Sequence, residues 1–159
     1  MNIDSIMVRD LVTVSMDHTL DDVRTIFLSH RFHHLLVVED GKLVGIVSDR
    51  DLLRNISPFI GTKAERTQDV YCLDRKVHQF MTRNVFTVSP DTPIKVAMSM
   101  LLWHNISCVP VIDEQKRPVG ICTWHDMMRY SLECGVEPGC TIDHAKPPPK
   151  PGDVGFKAA

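Results

Sequence analysis

Val44-Gly45-Ile46-Val47-Ser48-Asp49-Arg50-Asp51 returns 75 positions later as Val119-Gly120-Ile121-Cys122-Thr123-Trp124-His125-Asp126. Each stretch runs from apolar residues through a glycine to a Ser or Thr with Asp three residues on, the pattern of a strand ending where a capped helix begins. Working outward, residues 6–40 align with 80–114 at an offset of 74 and share nine identities in 35 positions. The matches include Met7/Met81, Arg9/Arg83, Thr13/Thr87, Ser15/Ser89, Asp17/Asp91, Leu28/Leu102 and His30/His104. The single slip between the two offsets falls in a polar turn, so the chain carries one structural unit twice.

Each copy reads as β-α-β-β-α. A short extended piece (Leu11 to Val14; Val85 to Val88) leads to a helical segment, whose apolar positions Leu20, Val23, Ile26 and Phe27 recur at three- and four-residue spacing. The counterpart is expected to start with Thr92 as its cap and Pro93 in its first turn. Two apolar runs follow, Leu35 to Val38 with Leu43 to Val47, and Val109 to Ile112 with Val119 to Cys122. Asp40-Gly41 is a hairpin signal in the first copy, and a longer turn, Asp113 to Arg117, carries the extra residue in the second. The last helix of each copy begins near Asp49 or Trp124. The predicted class is α+β: two tandem repeats, 3–57 and 77–132, packed sheet to sheet with pseudo-twofold symmetry, because a lone unit of this size has too little core. Residues 58–76 form a linker with room for a helical turn. Residues 133–159, with Lys146-Pro147-Pro148-Pro149-Lys150-Pro151, predict an irregular, mobile tail.

Composition narrows the function. The chain has 159 residues, 43% hydrophobic and 24% charged, with a formal net charge of −2 and no single-sign block. A nucleic-acid binder would need a basic stripe to neutralise phosphates. No apolar run approaches a bilayer span and the start lacks a signal-peptide core, so a cytoplasmic protein is expected. The five cysteines, Cys72, Cys108, Cys122, Cys134 and Cys140, show no C-x-x-C spacing and read as free thiols. His30, His33 and His34 invite a metal reading, yet adjacent residues of an extended segment face opposite ways and no carboxylate partner lies at ligand spacing, so no metal is expected. Gly-rich phosphate loops and nucleophile elbows are missing. The duplicated acids would sit in separate equivalent sites rather than converge on one reacting bond, which suits binding rather than catalysis.

The duplicated junctions themselves carry two readings. One is structural: Ser48 with Asp51, and Thr123 with Asp126, act only as helix caps. The other is a nucleoside phosphate site, with hydroxyl and main-chain N–H groups near the phosphate and an ionised Asp accepting from a ribose diol.

These junctions, with His33-His34-Leu35-Leu36-Val37-Val38 and Ser107-Cys108-Val109-Pro110-Val111-Ile112 before the second strands, resemble a tandem pair of CBS domains, over about residues 3–132. The first copy departs from the second by Leu36 in place of Pro110. The resemblance implies a regulatory module that senses AMP, ADP, ATP or S-adenosylmethionine in clefts between the repeats, acts through dimer geometry or an effector protein, and has no resident cofactor. It implies a first cleft of Ser48, Asp51, Thr87, Thr92, Ile106 and Ser107, with His34 and Arg50 as cationic neighbours. It implies a second of Thr123, Asp126, Thr13, His18, Phe32 and His33, with Cys108 at the phosphate side and Trp124 stacking or obstructing. The rival expectation is a ligand-free dimerisation or docking platform.

Overall fold

Thr13–Val14 (β1) pairs in parallel with His34–Glu39 (β2), which pairs antiparallel with Lys42–Ser48 (β3), giving the sheet order β1-β2-β3. The β2–β3 turn is Asp40-Gly41, whose φ angles of 49° and 76° are the left-handed pair that a two-residue hairpin demands. Between β1 and β2 runs α1, Leu20–Ser29, and β3 leads directly into α2, Asp49–Asn55. The α1 start is a full capping box: Asp22 N–H donates to Thr19 Oγ1 (3.1 Å) and Thr19 N–H donates to Asp22 Oδ2 (2.7 Å). The Thr19 N–H bond first, and then that of the Thr19 hydroxyl to the same Oδ2 (2.8 Å), hold the Asp22 carboxyl below its ordinary range. The core beneath these elements gathers Val14, Val23, Leu35, Val37, Val47, Val77 and Met81.

The computed structural model describes residues 1–134. Within it the chain divides into two units, residues 12–85 and residues 1–11 with 86 onward. The first unit also contains a short helix α3, Thr67–Val70, and 3-10 turns at Tyr71–Asp74 and Val77–Gln79. The short helix and the Tyr71–Asp74 turn lie within residues 58–76.

In the second unit α4, Ile94–His104, precedes the hairpin of Cys108–Ile112 (β4) and Pro118–Thr123 (β5), and α5 spans Trp124–Cys134. The parallel strand equivalent to β1 shrinks to one bridge, Val88 to Val111. Two boundaries differ from expectation. Pro93, not Thr92, is the N-cap of α4 and it offers no side-chain acceptor; Thr92 Oγ1 instead accepts from Ser89 N–H (3.1 Å) and closes the preceding turn. α5 runs two residues into the expected tail; the remainder of that expectation, with Cys140, lies outside the described residues. The core here joins Ile3 and Met7 to Ile94, Ala97, Met100, Leu101, Val109, Val111, Cys122 and Met127.

Residues 1–11 therefore complete the unit of the second sequence repeat, while residues 77–85 complete that of the first. The two arms dock alike. Val8 bridges Ile121 and Thr82 bridges Ile46, each through a reciprocal pair of main-chain bonds of 2.9 to 3.0 Å. An arm methionine then covers a strand glycine. A Cβ placed on Gly120 would lie 2.5 Å from Met7 Sδ, and one on Gly45 would lie 2.7 Å from Met81 Sδ. The duplicated glycines are therefore sites of close approach rather than of unusual backbone angle.

Candidate functional site

Both junctions place their paired residues in direct contact. Ser48 N–H and Oγ–H donate to Asp51 Oδ2 at 2.8 and 2.7 Å, and Asp51 N–H donates to Ser48 Oγ at 3.3 Å. Thr123 N–H and Oγ1–H donate to Asp126 Oδ2 at 2.8 and 2.7 Å. All four residues are half-buried. The strand sets the hydroxyl at its last position and the helix brings the carboxylate back one turn later, so the geometry follows from the three-residue spacing. The cap bonds fall on Oδ2, and each carboxylate presents a second oxygen with acceptor capacity of its own.

The loop before each second strand is fastened to the same helix start. Asp49 N–H donates to His33 O and Trp124 N–H to Ser107 O, both at 3.1 Å. The expected open N–H groups at the α2 start are thereby reduced: Asp49 N–H goes to the His33 carbonyl and Asp51 N–H to the cap hydroxyl. Side chains at the aligned positions 49 and 124 add a second fastening. His33 Nδ1 lies 2.9 Å from Asp49 Oδ2, and Trp124 Nε1–H donates to Ile106 O at 3.0 Å. Trp124 therefore neither stacks freely nor swings; its indole is tied to the loop carrying Ile106 and packs on the core. The sequence reading did not anticipate the Asp49 and Trp124 fastenings, although their alignment as first helical residues was visible.

His34 and Cys108 occupy matching places, opposite Ser48 and Thr123 in the strand registers. Burial is the main influence on His34 and holds its imidazole below the ordinary value, which favours the neutral form at pH 7. Burial pushes the Cys108 thiol up to about 12, with Cys122 adding to the effect, so Cys108 is a protonated, inert wall. Cys122 is likewise pushed up to about 12, by burial first and the Asp126 charge second.

Arg50 is exposed on the first turn of α2. Phe32 packs against Phe27 (centroids 6.2 Å) and one face is stacked by His30 (4.9 Å), which leaves it as apolar wall. His18 Nδ1 accepts from Ser15 N–H at 3.0 Å and meets Ser15 Oγ at 2.8 Å, the role Thr92 plays with Ser89. Thr13 is exposed on β1 and Thr87 half-buried beside Val88. Ser48, Asp51, His34, Arg50, Thr13, His18, Phe32 and His33 thus belong to the unit of residues 12–85; Thr87, Thr92, Ile106, Ser107, Thr123 and Asp126 belong to the other. Among the described residues no group of three His, Cys, Asp or Glu side chains is placed to hold a metal, and no helix is long and apolar enough to cross a membrane.

The CBS domain family pattern matches residues 3–58 and 77–133, one match on each copy of the junction. The chain belongs to the CBS domain family. A CBS domain-containing protein of Dictyostelium discoideum is 33% identical over 125 residues, which cover 77% of this chain and 86% of that protein. A homoserine O-acetyltransferase of Methanohalobium evestigatum is 32% identical over 132 residues, 82% of this chain but 24% of the enzyme. The chain therefore spans about a quarter of that relative. Among solved structures, a CBS domain pair in complex with 5′-methylthioadenosine and S-adenosyl-L-methionine superimposes with a TM-score of 0.71 at 26% identity, covering 85% of this chain and 98% of that one. CBSX2 of Arabidopsis thaliana in complex with AMP superimposes with a TM-score of 0.70 at 25% identity, covering 84% and 97%.

Proposed function

We propose that this CBS pair is a non-catalytic regulatory module that binds an adenosine-containing ligand at its Ser48/Asp51 and Thr123/Asp126 junctions and passes occupancy to an effector protein or a second copy of itself. The observation that carries the reading is the duplicated half-buried hydroxyl–carboxylate pair, whose cap bonds converge on Oδ2. An ionised carboxylate so oriented suits a ribose diol, which needs two acceptors and no donor. Two similar CBS pairs carry AMP, or methylthioadenosine with S-adenosylmethionine. Phosphate recognition in the first repeat draws on Arg50, exposed at the start of α2, and the cross-repeat residue sets named from the resemblance form part of this proposal.

Isothermal titration of AMP, ATP and S-adenosylmethionine into wild type, Asp51→Asn and Asp126→Asn tests it. At least one ligand should bind wild type, and losing a charged acceptor should weaken its site by about 1.5 to 3 kcal/mol, roughly tenfold or more. Absence of heat from all three ligands at millimolar concentration would instead favour a ligand-free docking platform. That rival draws support from one observation: at both junctions the hydroxyl and carboxylate already satisfy each other as caps.

A further inference from the structure

The two junctions share their capping geometry but differ in the side chains around the hydroxyl. In the hairpin registers His34 stands opposite Ser48 and Cys108 opposite Thr123. Directly opposed residues of an antiparallel pair project from the same face with Cβ atoms about 4.5 to 5.5 Å apart, so an imidazole neighbours the first hydroxyl and a thiol the second. The residues that follow change as well: Asp49-Arg50 in the first copy becomes Trp124-His125 in the second, and Thr123 adds a methyl group to the place of Ser48. All four exchanges run one way, from a charged or more polar side chain to a less polar one.

At the second junction the donors nearest the hydroxyl are committed. Thr123 N–H and Oγ1–H donate to Asp126 Oδ2, Trp124 N–H donates to Ser107 O, and the indole N–H donates to Ile106 O. Cys108 is buried and stays protonated, its thiol pushed up to about 12 by that burial. A phosphate drawn up to Thr123 would give up water for a thiol, the weakest of donors. The first junction commits the same main-chain and hydroxyl donors but adds Arg50 on the first turn of its helix. That guanidinium is always charged, is exposed, and takes part in no ion pair among the described residues. The extra acid there, Asp49, is engaged by His33 at 2.9 Å. An exposed imidazole, His125, stands in the second repeat where Arg50 stands in the first. Arg54 and Arg129 also align, so they do not distinguish the two junctions.

Building on the nucleoside reading of both junctions, we propose that they take different classes of adenosine ligand. Ser48/Asp51 takes a 5′-phosphorylated nucleoside, whereas Thr123/Asp126 takes one whose 5′ substituent is uncharged, a hydroxyl or a thioether. The ribose is read alike by both, because Asp51 and Asp126 are oriented by matching bonds from the hydroxyl and main chain of their caps. Discrimination lies at the 5′ end, where the aligned pairs His34/Cys108 and Arg50/His125 determine specificity. A thioether is polarisable and packs beside a thiol without requiring a donor.

Amide resonances of nitrogen-15-labelled wild type, titrated separately with AMP, adenosine and 5′-methylthioadenosine, read the junctions one at a time through residues 48–51 and 123–126. The ratio of AMP affinity to methylthioadenosine affinity should be roughly tenfold or more higher at the first junction than at the second. His125→Arg, an exposed exchange outside the cap bonds, should raise AMP affinity at the second junction by roughly two- to fivefold. Arg50→His should lower AMP affinity at the first junction more than adenosine affinity. Equal ratios at the two junctions, AMP preferred at the second, or an AMP affinity there that ignores His125→Arg would overturn the selectivity and leave the sensor reading standing. If none of the three ligands perturbs either junction, the sensor reading falls and the selectivity with it, so the two failures are distinguishable.

Discussion

At the scale of single residues, the packing of Met81 on Gly45 and Met7 on Gly120 makes a methyl group costly where the backbone angles alone would tolerate one. The ideal Cβ would also lie 3.0 Å from the Thr82 carbonyl oxygen at Gly45 and 3.2 Å from the Val8 oxygen at Gly120, atoms fixed by the arm bridges. Gly45→Ala and Gly120→Ala should each lower the unfolding free energy by about 1 to 3 kcal/mol in urea titrations. Shortening the methionine creates the missing space, so Gly45→Ala combined with Met81→Val should cost less than the sum of its parts. Additive losses would show that the clash is relieved elsewhere. A second residue carries a pH signature. His34 is held below its ordinary value by burial, so the unfolded chain binds the proton more strongly than the folded one. Stability is full above the unfolded value of about 6.5 and falls as pH drops from there through the folded value. His34→Gln should flatten that part of the curve, read as the wild-type-minus-variant difference in urea midpoint between pH 7.5 and 5.5, pH values chosen to bracket the transition. An unchanged difference would place the titration on other histidines.

At the scale of elements, the aligned positions 19 and 93 show where repetition in sequence stops short of repetition in structure. Thr19 caps α1 with a reciprocal box, whereas Pro93 caps α4 with no side-chain bond. Thr19→Ala should therefore cost about 1 kcal/mol, while Pro93→Ala should change stability by less than about 0.5 kcal/mol, both measured by thermal unfolding. A Thr19→Ala loss below about 0.5 kcal/mol would mean that the α1 box is dispensable. The hairpins, the long helices and the starts of α2 and α5 were legible in sequence because periodicity, Asp40-Gly41 and the S/T-x-x-D spacing act locally. The Thr92 cap was misread because Thr-Pro satisfies a local rule that Ser89 overrides by taking the hydroxyl into its own turn. The Ser48/Asp51 and Thr123/Asp126 contacts were legible for the same local reason. The preference of His34 for its neutral form and the tethering of Trp124 were not, since both depend on burial and on a loop that sequence spacing does not locate. Neither did the pattern disclose which unit each arm completes: Met7-Val8-Arg9 and Met81-Thr82-Arg83 are nearly the same triplet, and both glycine strands could receive either.

At the scale of the whole molecule, that arm exchange makes the two units unequal in a way the repeats are not. The unit of residues 12–85 is one unbroken stretch, and its arm methionine Met81 comes from within it. The other unit needs Ile3 and Met7 from the far end of the chain, and both are buried in its core. Removing a buried methionine or isoleucine costs about 2 to 5 kcal/mol, a large share of the 5 to 15 kcal/mol that stabilises an ordinary domain. A fragment of residues 12–85 should therefore unfold cooperatively on its own, whereas a fragment of residues 86–134 should lack protected amides in hydrogen exchange. Adding a peptide of residues 1–11 in trans should restore protection around Ile121 and Met127, because the Val8 bridge and the Met7 seat on Gly120 are rebuilt. A peptide of residues 75–85 offers the same methionine and the same bridging backbone, so it should compete for that slot. Protection of residues 86–134 without any arm would refute the arm's structural role, and a competing peptide that fails to bind would show that Val8 and Thr82 discriminate between slots the triplets make look alike.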